Sequence, residues 1–366
     1  MEPMEPMEPI EPVEPVNPDE PAIPPPMTEA AKAAAAARAT GGSGGADASG
    51  HRAGFACFVG RPNAGKSTLL NAIVGEEIAI TSDKPQTTRR AVRGIITRPD
   101  AQLIIVDTPG MHRPRTLLGQ RLGDLVRAVW SDVDVVGFCI PADEKIGPGD
   151  RRIAAEIAEQ AHGAPVVGIV TKTDRTSRGQ LAAQLVAMSE LTDFADIVPV
   201  SAVAGEQVDV LTDVLITHLP VGSRLYPDAE TTDEPLETRI AELVREAALD
   251  GVREELPHSL AALVTEMAPR ETDAHPPGPE QTAQTGQAAR KPPPLTDVYV
   301  TIFVERPSQK AIVLGHKGSR LSDVGRRARL QIEQLLGSRV YLHLHVAVAK
   351  EWQRDPKQLR KLGFDG

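Results

Sequence analysis

The sequence predicts an α/β fold, a mostly parallel sheet with helices on both faces, followed by a smaller α+β unit. Three observations carry that prediction. Between residue 52 and about residue 225, near-continuous apolar runs alternate with amphipathic segments, and strands apolar along their whole length belong to parallel sheets covered on both faces. Beyond a turn-rich stretch the alternation gives way to helix, strand, strand, helix, helix, strand, an order that does not continue a strand-helix series. The third observation is the run Gly60-Arg61-Pro62-Asn63-Ala64-Gly65-Lys66-Ser67-Thr68, set between an apolar run and a helical one. Glycines there let backbone N–H groups curl around an anion at a helix N-terminus.

The totals bound the reading. A chain of 366 residues, 41% of them hydrophobic, is long enough for two domains with sizeable cores. The formal net charge is −10, but it is unevenly spread. Residues 1–50 carry nine acids and two bases (−7), whereas 295–366 carry thirteen bases and seven acids (+6). Cys57 and Cys139 lie in apolar runs, as free thiols in a reducing compartment do, and a cytoplasmic protein is expected. No run approaches the ~18 apolar residues of a membrane span, and the N-terminus is acidic and proline-rich where a secretory signal would be basic then apolar.

Residues 1–51 open with Met-Glu-Pro repeats and end in glycine and serine. Proline at every third position excludes helix and sheet, and the segment is expected to be a disordered extension. A short helix over 28–38 is compatible with the alanine run there. Strands are predicted at 55–59, 102–107, 133–140, 165–170 and 197–200, with helices near 69–73, 117–130, 149–161, 179–189 and 207–218. The first domain is thus set at 52–225, a linker at 226–235 and a second domain at 236–366. That second unit starts with a helix whose apolar positions Leu236, Ile240, Leu243, Val244 and Ala247 follow the 3.6-residue period. Its strands are expected at 259–267, 297–305 and 340–346, and its long helix at 319–336. Residues 270–294, with six prolines and no periodicity, read as a flexible insertion, and those after 350 as a polar tail.

The chemistry sits at strand ends, where such sheets bind ligands. In the glycine-rich loop Lys66 reaches the β- and γ-phosphates and the Ser67 hydroxyl ligates Mg²⁺, so the loop binds a nucleoside triphosphate. Asp107-Thr108-Pro109-Gly110 closes the second apolar strand of the sheet. Asp107 is placed to hold Mg²⁺ through water, and the Gly110 N–H to sense the γ-phosphate. Between the two motifs, Pro85-Gln86-Thr87-Thr88-Arg89-Arg90 is long enough to cover the phosphates, and Thr88, in preference to Thr87, completes the Mg²⁺ shell. Thr171-Lys172-Thr173-Asp174 ends a strand. The Asp174 carboxylate can accept from both N1–H and the 2-amino group of guanine, which adenine does not offer, and the lysine stem lies over the base. Ser201-Ala202 can supply a backbone N–H to guanine O6. An ATP-using phosphotransferase, the competing enzyme class, is argued against by Asp174.

In the second unit, Gly315-His316-Lys317-Gly318 lies between two helices, and Arg320, Arg326, Arg327 and Arg329 follow. Two glycines let a nucleic-acid backbone come close and the cations neutralise its phosphates. His343 and His345 alternate with Leu342 and Leu344, which reads as the polar face of a strand and not as a metal site.

Taken together, GRPNAGKST, KPQTTRR, DTPG, TKTD and SA in order, then VLGHKGSRLSDVGRRAR and the ending LRKLGF, resemble the Era family of ribosome-associated GTPases over residues 52–366. The resemblance implies a P-loop GTPase domain followed by a type II KH domain, with GTP/GDP and Mg²⁺ as ligands. It further implies a monomeric cytoplasmic switch that binds the 3′ end of small-subunit ribosomal RNA and assists 30S assembly, with peripheral contact at the inner membrane face left open. The chain departs from the family at Thr171, where Asn is usual, and in carrying the extension and the insertion. Met111 stands where Ras-like enzymes carry a water-orienting Gln, and a thioether cannot orient water. In related GTPases with an Asn at the position of Asn63, K⁺ near the phosphates supplies charge. Asn63 either does this or only shapes the loop. A GTP-holding RNA-binding module without turnover is therefore the second reading.

Overall fold

The computed structural model describes residues 50–82, 87–110, 116–161, 163–252, 256–270 and 295–364. The expected extension over 1–51, with its helix over 28–38, lies outside the described residues except at its last two positions, as do Pro85, Gln86, Met111 and nearly all of the 270–294 insertion.

The first unit runs β1 (Arg52–Val59), α1 (Lys66–Val74), β2 (Val92–Thr97), β3 (Ala101–Asp107), α2 (Leu117–Asp132), β4 (Val135–Pro141), α3 (Pro148–Gln160), β5 (Val166–Thr171), α4 (Arg178–Ser189), β6 (Asp196–Pro199) and α5 (Val208–Thr217). Its six strands are ordered β2-β3-β1-β4-β5-β6. All neighbours pair in parallel except β2, which lies antiparallel on the edge against β3. The central strands β3 and β4 are buried at every position, which is why they read as unbroken apolar runs. Strand β2 escapes that pattern because it is an edge strand with only Gly94 and Ile95 buried. Helices α1 and α5 cover one face around Leu69, Leu70, Leu211 and Leu215, and α2, α3 and α4 the other around Val126, Trp130, Ile153 and Met188.

The second unit runs α6 (Leu236–Leu249), the short α7 (Leu256–Ser259), β7 (Ala261–Pro269), β8 (Leu295–Val304), α8 (Pro307–Leu314), α9 (Ser319–Leu336), β9 (Arg339–Val348) and α10 (Pro356–Lys361). Its sheet is ordered β7-β8-β9, antiparallel then parallel. Alternate residues of β8, Val298, Val300, Ile302 and Val304, pack with Val324, Ala328 and Ile332 of α9 and Ile240 and Val244 of α6. The opposite face carries Tyr299 and His343, stacked at 4.2 Å, so the histidines do lie on the polar face.

The chain after residue 350 is not a polar tail. Trp352, Leu359 and Leu362 are buried with Leu118 and Leu122 of α2, and the Trp352 indole N–H donates to Ser259 O at 2.9 Å. Few apolar residues suffice there because each inserts between the two units, and a window average over this lysine- and arginine-rich stretch conceals them. The turn-rich stretch before α6 is likewise docked. The Gln102 amide oxygen on β3 accepts from the Leu225 and Tyr226 N–H groups at 2.6 and 2.9 Å, and its NH₂ donates to Tyr226 O.

Candidate functional site: a nucleotide pocket joined to a glycine turn

The phosphate loop leaves β1 through Gly60 and enters α1 through Gly65, whose φ is +88°. A Cβ at Gly60 would stand 2.5 Å from the Cys139 carbonyl, and one at Gly110 2.8 Å from Pro62. Glycine at both positions lets β4 and the strand end after Asp107 press against the loop. Asn63 holds φ +62° in the same loop, and Arg61 pairs with Asp150 at 2.7 Å and Glu144 at 2.9 Å. Pro62, Ala64 and Thr68 complete the expected run.

Three oxygen-bearing side chains from three elements converge beneath it. Ser67 Oγ donates to Asp107 Oδ2 at 2.6 Å, Thr88 Oγ1 lies 3.0 Å from Ser67 Oγ, and it donates to Asp107 Oδ2 at 3.2 Å. Asp107 is fully buried and its Oδ1 has no hydrogen-bond partner. A buried carboxylate with an unmatched oxygen beside two hydroxyls is the hard-oxygen set that Mg²⁺ takes, so the residues present fit that ion. Burial raises the Asp107 pKa, opposed by Lys66 and by the hydroxyl bonds, and burial lowers that of Lys66, opposed by Asp107. Lys66 Nζ donates to Gly60 O and Arg61 O at 3.3 and 3.1 Å, which keeps it against the loop. Thr108 ties the strand end to β1 through Phe58 O at 2.8 Å. Pro109 is buried, and Gly110 ends the described part of the motif.

Thr171, where asparagine was expected from the resemblance, is buried at the end of β5. Its hydroxyl donates to Ala64 O at 2.7 Å, linking the Thr171-to-Asp174 segment to the glycine-rich loop. Lys172 follows at φ +57°, and Thr173 and Asp174 sit in a short 3-10 turn. Asp174 is exposed, and its Oδ1 accepts from Ser201 Oγ at 2.6 Å. The Ser201 N–H bonds Glu206 O at 3.1 Å, so of the two backbone donors expected there Ala202 is the one left for a base. Sequence reasoning missed the role of the Ser201 side chain in orienting Asp174.

In the second unit Gly315 (φ +69°), Lys317 (φ +50°) and Gly318 (φ +81°) turn the chain from α8 into α9. A Cβ at Gly315 would meet Arg320 at 2.6 Å, while nothing lies within 4 Å of one at Gly318, and His316 and Lys317 are exposed. Arg326 and Arg329 are exposed as well, Arg326 beside Asp323. Arg320 and Arg327 are partly spent elsewhere. Arg320 donates to Ala248 O at 3.1 Å and Asp250 O at 2.7 Å, and Arg327 to Ala247 O at 3.0 Å. They bind α9 to the end of α6, whose last carbonyls lack helical partners.

Sequence reasoning also missed the contact between the two units. Arg89, 2% exposed, donates at 2.8 Å to the carbonyls of Pro257, His258 and Leu260. Arg90 donates to Leu362 O at 2.7 Å. The basic pair Arg89-Arg90 was the available signal, but it reads from sequence as a solvated loop.

A glycine-rich loop between β1 and α1 with an oxygen cluster beneath it, followed by an α+β unit with an open glycine turn between two helices, defines the class of P-loop GTPases bearing a KH domain. Residues 55–172 match the family described as 50S ribosome-binding GTPase, and 295–353 match the KH domain. The chain is 59% identical over 319 residues to GTPase Era of Streptomyces coelicolor, covering 86% of this chain and 95% of the relative. GTPase Era of Mycolicibacterium smegmatis is 58% identical over 314 residues, with 86% and 99% covered. The chain therefore belongs to the GTPase Era family. It is similar in structure to Era in complex with MgGDPNP and nucleotides 1506–1542 of 16S ribosomal RNA, with a TM-score of 0.77, 33% identity, 86% of this chain covered and 100% of that one. An Aquifex aeolicus Era variant bound to GDP·AlF₄⁻ matches equally, at 0.77 and 33%.

Proposed function

We propose that this chain hydrolyses GTP and, through its C-terminal unit, binds the 3′ end of small-subunit ribosomal RNA during 30S assembly. The observation that carries the reading is the joint presence of the Ser67, Thr88 and Asp107 oxygens around one point and the open Gly315-to-Gly318 turn on the second unit, in a chain whose relative is an Era bound to such an RNA. Domain limits at 52–225 and 236–366, a monomeric state, a cytoplasmic location and peripheral contact with the inner membrane face are parts of this proposal. No helix among the described residues is long and apolar enough to cross a membrane.

In the reaction, the N–H groups of the loop and the start of α1 hold the phosphates, Lys66 bridges β and γ, and Asp174 with Lys172 reads the base. Ser67, Thr88 and Asp107 would hold Mg²⁺, which when bound neutralises charge on the β- and γ-oxygens. Asn63 is the residue that would serve K⁺. The Gly110 N–H senses whether the γ-phosphate is present, and the loop through Thr88 follows it.

The combined reading is tested by phosphate release from GTP, in KCl and NaCl at equal ionic strength, alongside anisotropy of a labelled single-stranded ribosomal 3′-end oligonucleotide. Turnover that is faster in KCl, together with RNA binding that weakens steeply with salt, is expected. GTP binding without turnover in either salt would favour the module that only holds nucleotide.

A further inference from the structure

The segment carrying Thr88 is held from the second unit. Arg245 of α6, whose side chain is 1% exposed, donates through Nη2 to the backbone carbonyl of Thr87, the neighbour of Thr88. The same guanidinium is oriented by Glu242 one turn earlier, through Nε to both carboxylate oxygens at 3.0 and 3.1 Å and Nη2 at 2.5 Å. On either side the loop is pinned to the same unit. The Thr81 N–H bonds Glu246 at 2.8 Å, and Arg89 holds three carbonyls of 257–260. Burial would raise the Glu242 carboxyl, yet Arg245, with Arg90 and Arg89, holds it below the usual range, so it stays an anion and keeps Arg245 in place.

We propose that Arg245, oriented by Glu242, is a positioning residue for Thr88, through which the C-terminal unit sets the preference of the pocket for the triphosphate state over the diphosphate. The proposal rests on the reading of Thr88 as an Mg²⁺ ligand. A threonine on a loop contributes to the metal shell only if the loop spends its time over the phosphates. In GDP that shell has no γ-phosphate to complete, so the clamp acts on GTP alone. The bond is to backbone and not to a side chain, so the loop sequence around Thr87 can vary while the position of Thr88 is kept. A charged donor to a part-buried carbonyl is a strong class of hydrogen bond, and its loss is large enough to show as roughly tenfold in affinity.

The test uses the full-length chain and fluorescent N-methylanthraniloyl GDPNP and GDP in Mg²⁺ buffer. Arg245→Met should weaken GDPNP roughly tenfold and leave GDP within about twofold. Because that variant strands Glu242, Arg245→Met with Glu242→Gln is measured beside it, with a melting curve for each, and should show the same selective loss. Thr88→Ala should lose the same discrimination, and adding Arg245→Met to it should cost nothing further, since both act through one contact. Equal weakening of both nucleotides, an unchanged ratio, or losses that multiply in the combined variant would overturn the proposal. If Thr88→Ala itself leaves the ratio unchanged, the assignment of Thr88 fails and the clamp has nothing to position, an outcome separable from the others.

Discussion

The Thr171 hydroxyl donates a 2.7 Å hydrogen bond to the Ala64 carbonyl, so the segment proposed to read the base and the loop proposed to hold the phosphates are one mechanical piece. Thr171 also stands within 3.6 Å of where a Cβ at Gly65 would lie. Thr171→Val keeps the shape and removes the donor from a buried site, which costs about 1–3 kcal/mol. GTP affinity should fall roughly five- to tenfold, read by titration with a fluorescent nucleotide. Thr171→Asn should retain it, since the amide can donate to the same carbonyl.

The proposed base reader is Asp174, held by Ser201 at 2.6 Å. Asp174→Asn should lose GTP and gain xanthosine triphosphate in competition binding, because the amide offers a donor where guanine also offers one. Ser201→Ala should give a weaker form of the same loss, with no gain for xanthosine. Unchanged GTP affinity in Asp174→Asn would remove the carboxylate from the base site.

How much of this was legible in the sequence divides along a physical line. Strands β1, β3, β4 and β5 and the placement of the motifs at their ends were legible because burial on both faces writes a continuous apolar run, and a phosphate-binding sequence carries glycine, lysine and hydroxyl at fixed spacing. What stayed hidden was tertiary. Arg89 looks like a surface cation until three carbonyls from residues 257–260 surround it. Gln102 looks like an interruption in a strand until Leu225 and Tyr226 dock on it. Arg320 and Arg327 share the helix of the exposed Arg326 and Arg329, and only the placement of α6 tells the pairs apart.

Trp352 is fully buried between the units, with Arg89 above its ring at 5.7 Å and Phe364 stacked at 5.7 Å. Trp352→Ala removes a large buried ring, which costs about 3–5 kcal/mol. Chemical denaturation should show a destabilisation of that size. Because the same ring backs Arg89, limited proteolysis should cut the 81–90 loop sooner in the variant. A loss under about 1 kcal/mol would show that the C-terminal segment is only loosely seated.

The proposal that this chain joins a nucleotide pocket to a separate RNA-binding turn is tested most directly at Gly318. Nothing lies within 4 Å of its side-chain position and its φ is +81°, so Gly318→Asp adds strain and negative charge at the surface of the turn while the nucleotide pocket lies in the other unit. The measurement is anisotropy of the single-stranded ribosomal 3′-end oligonucleotide with GDPNP present, wild type against Gly318→Asp. RNA affinity is expected to fall at least about tenfold, equivalent to roughly 1.4 kcal/mol, while nucleotide affinity stays within about twofold. RNA binding as tight as wild type in the variant would contradict the account.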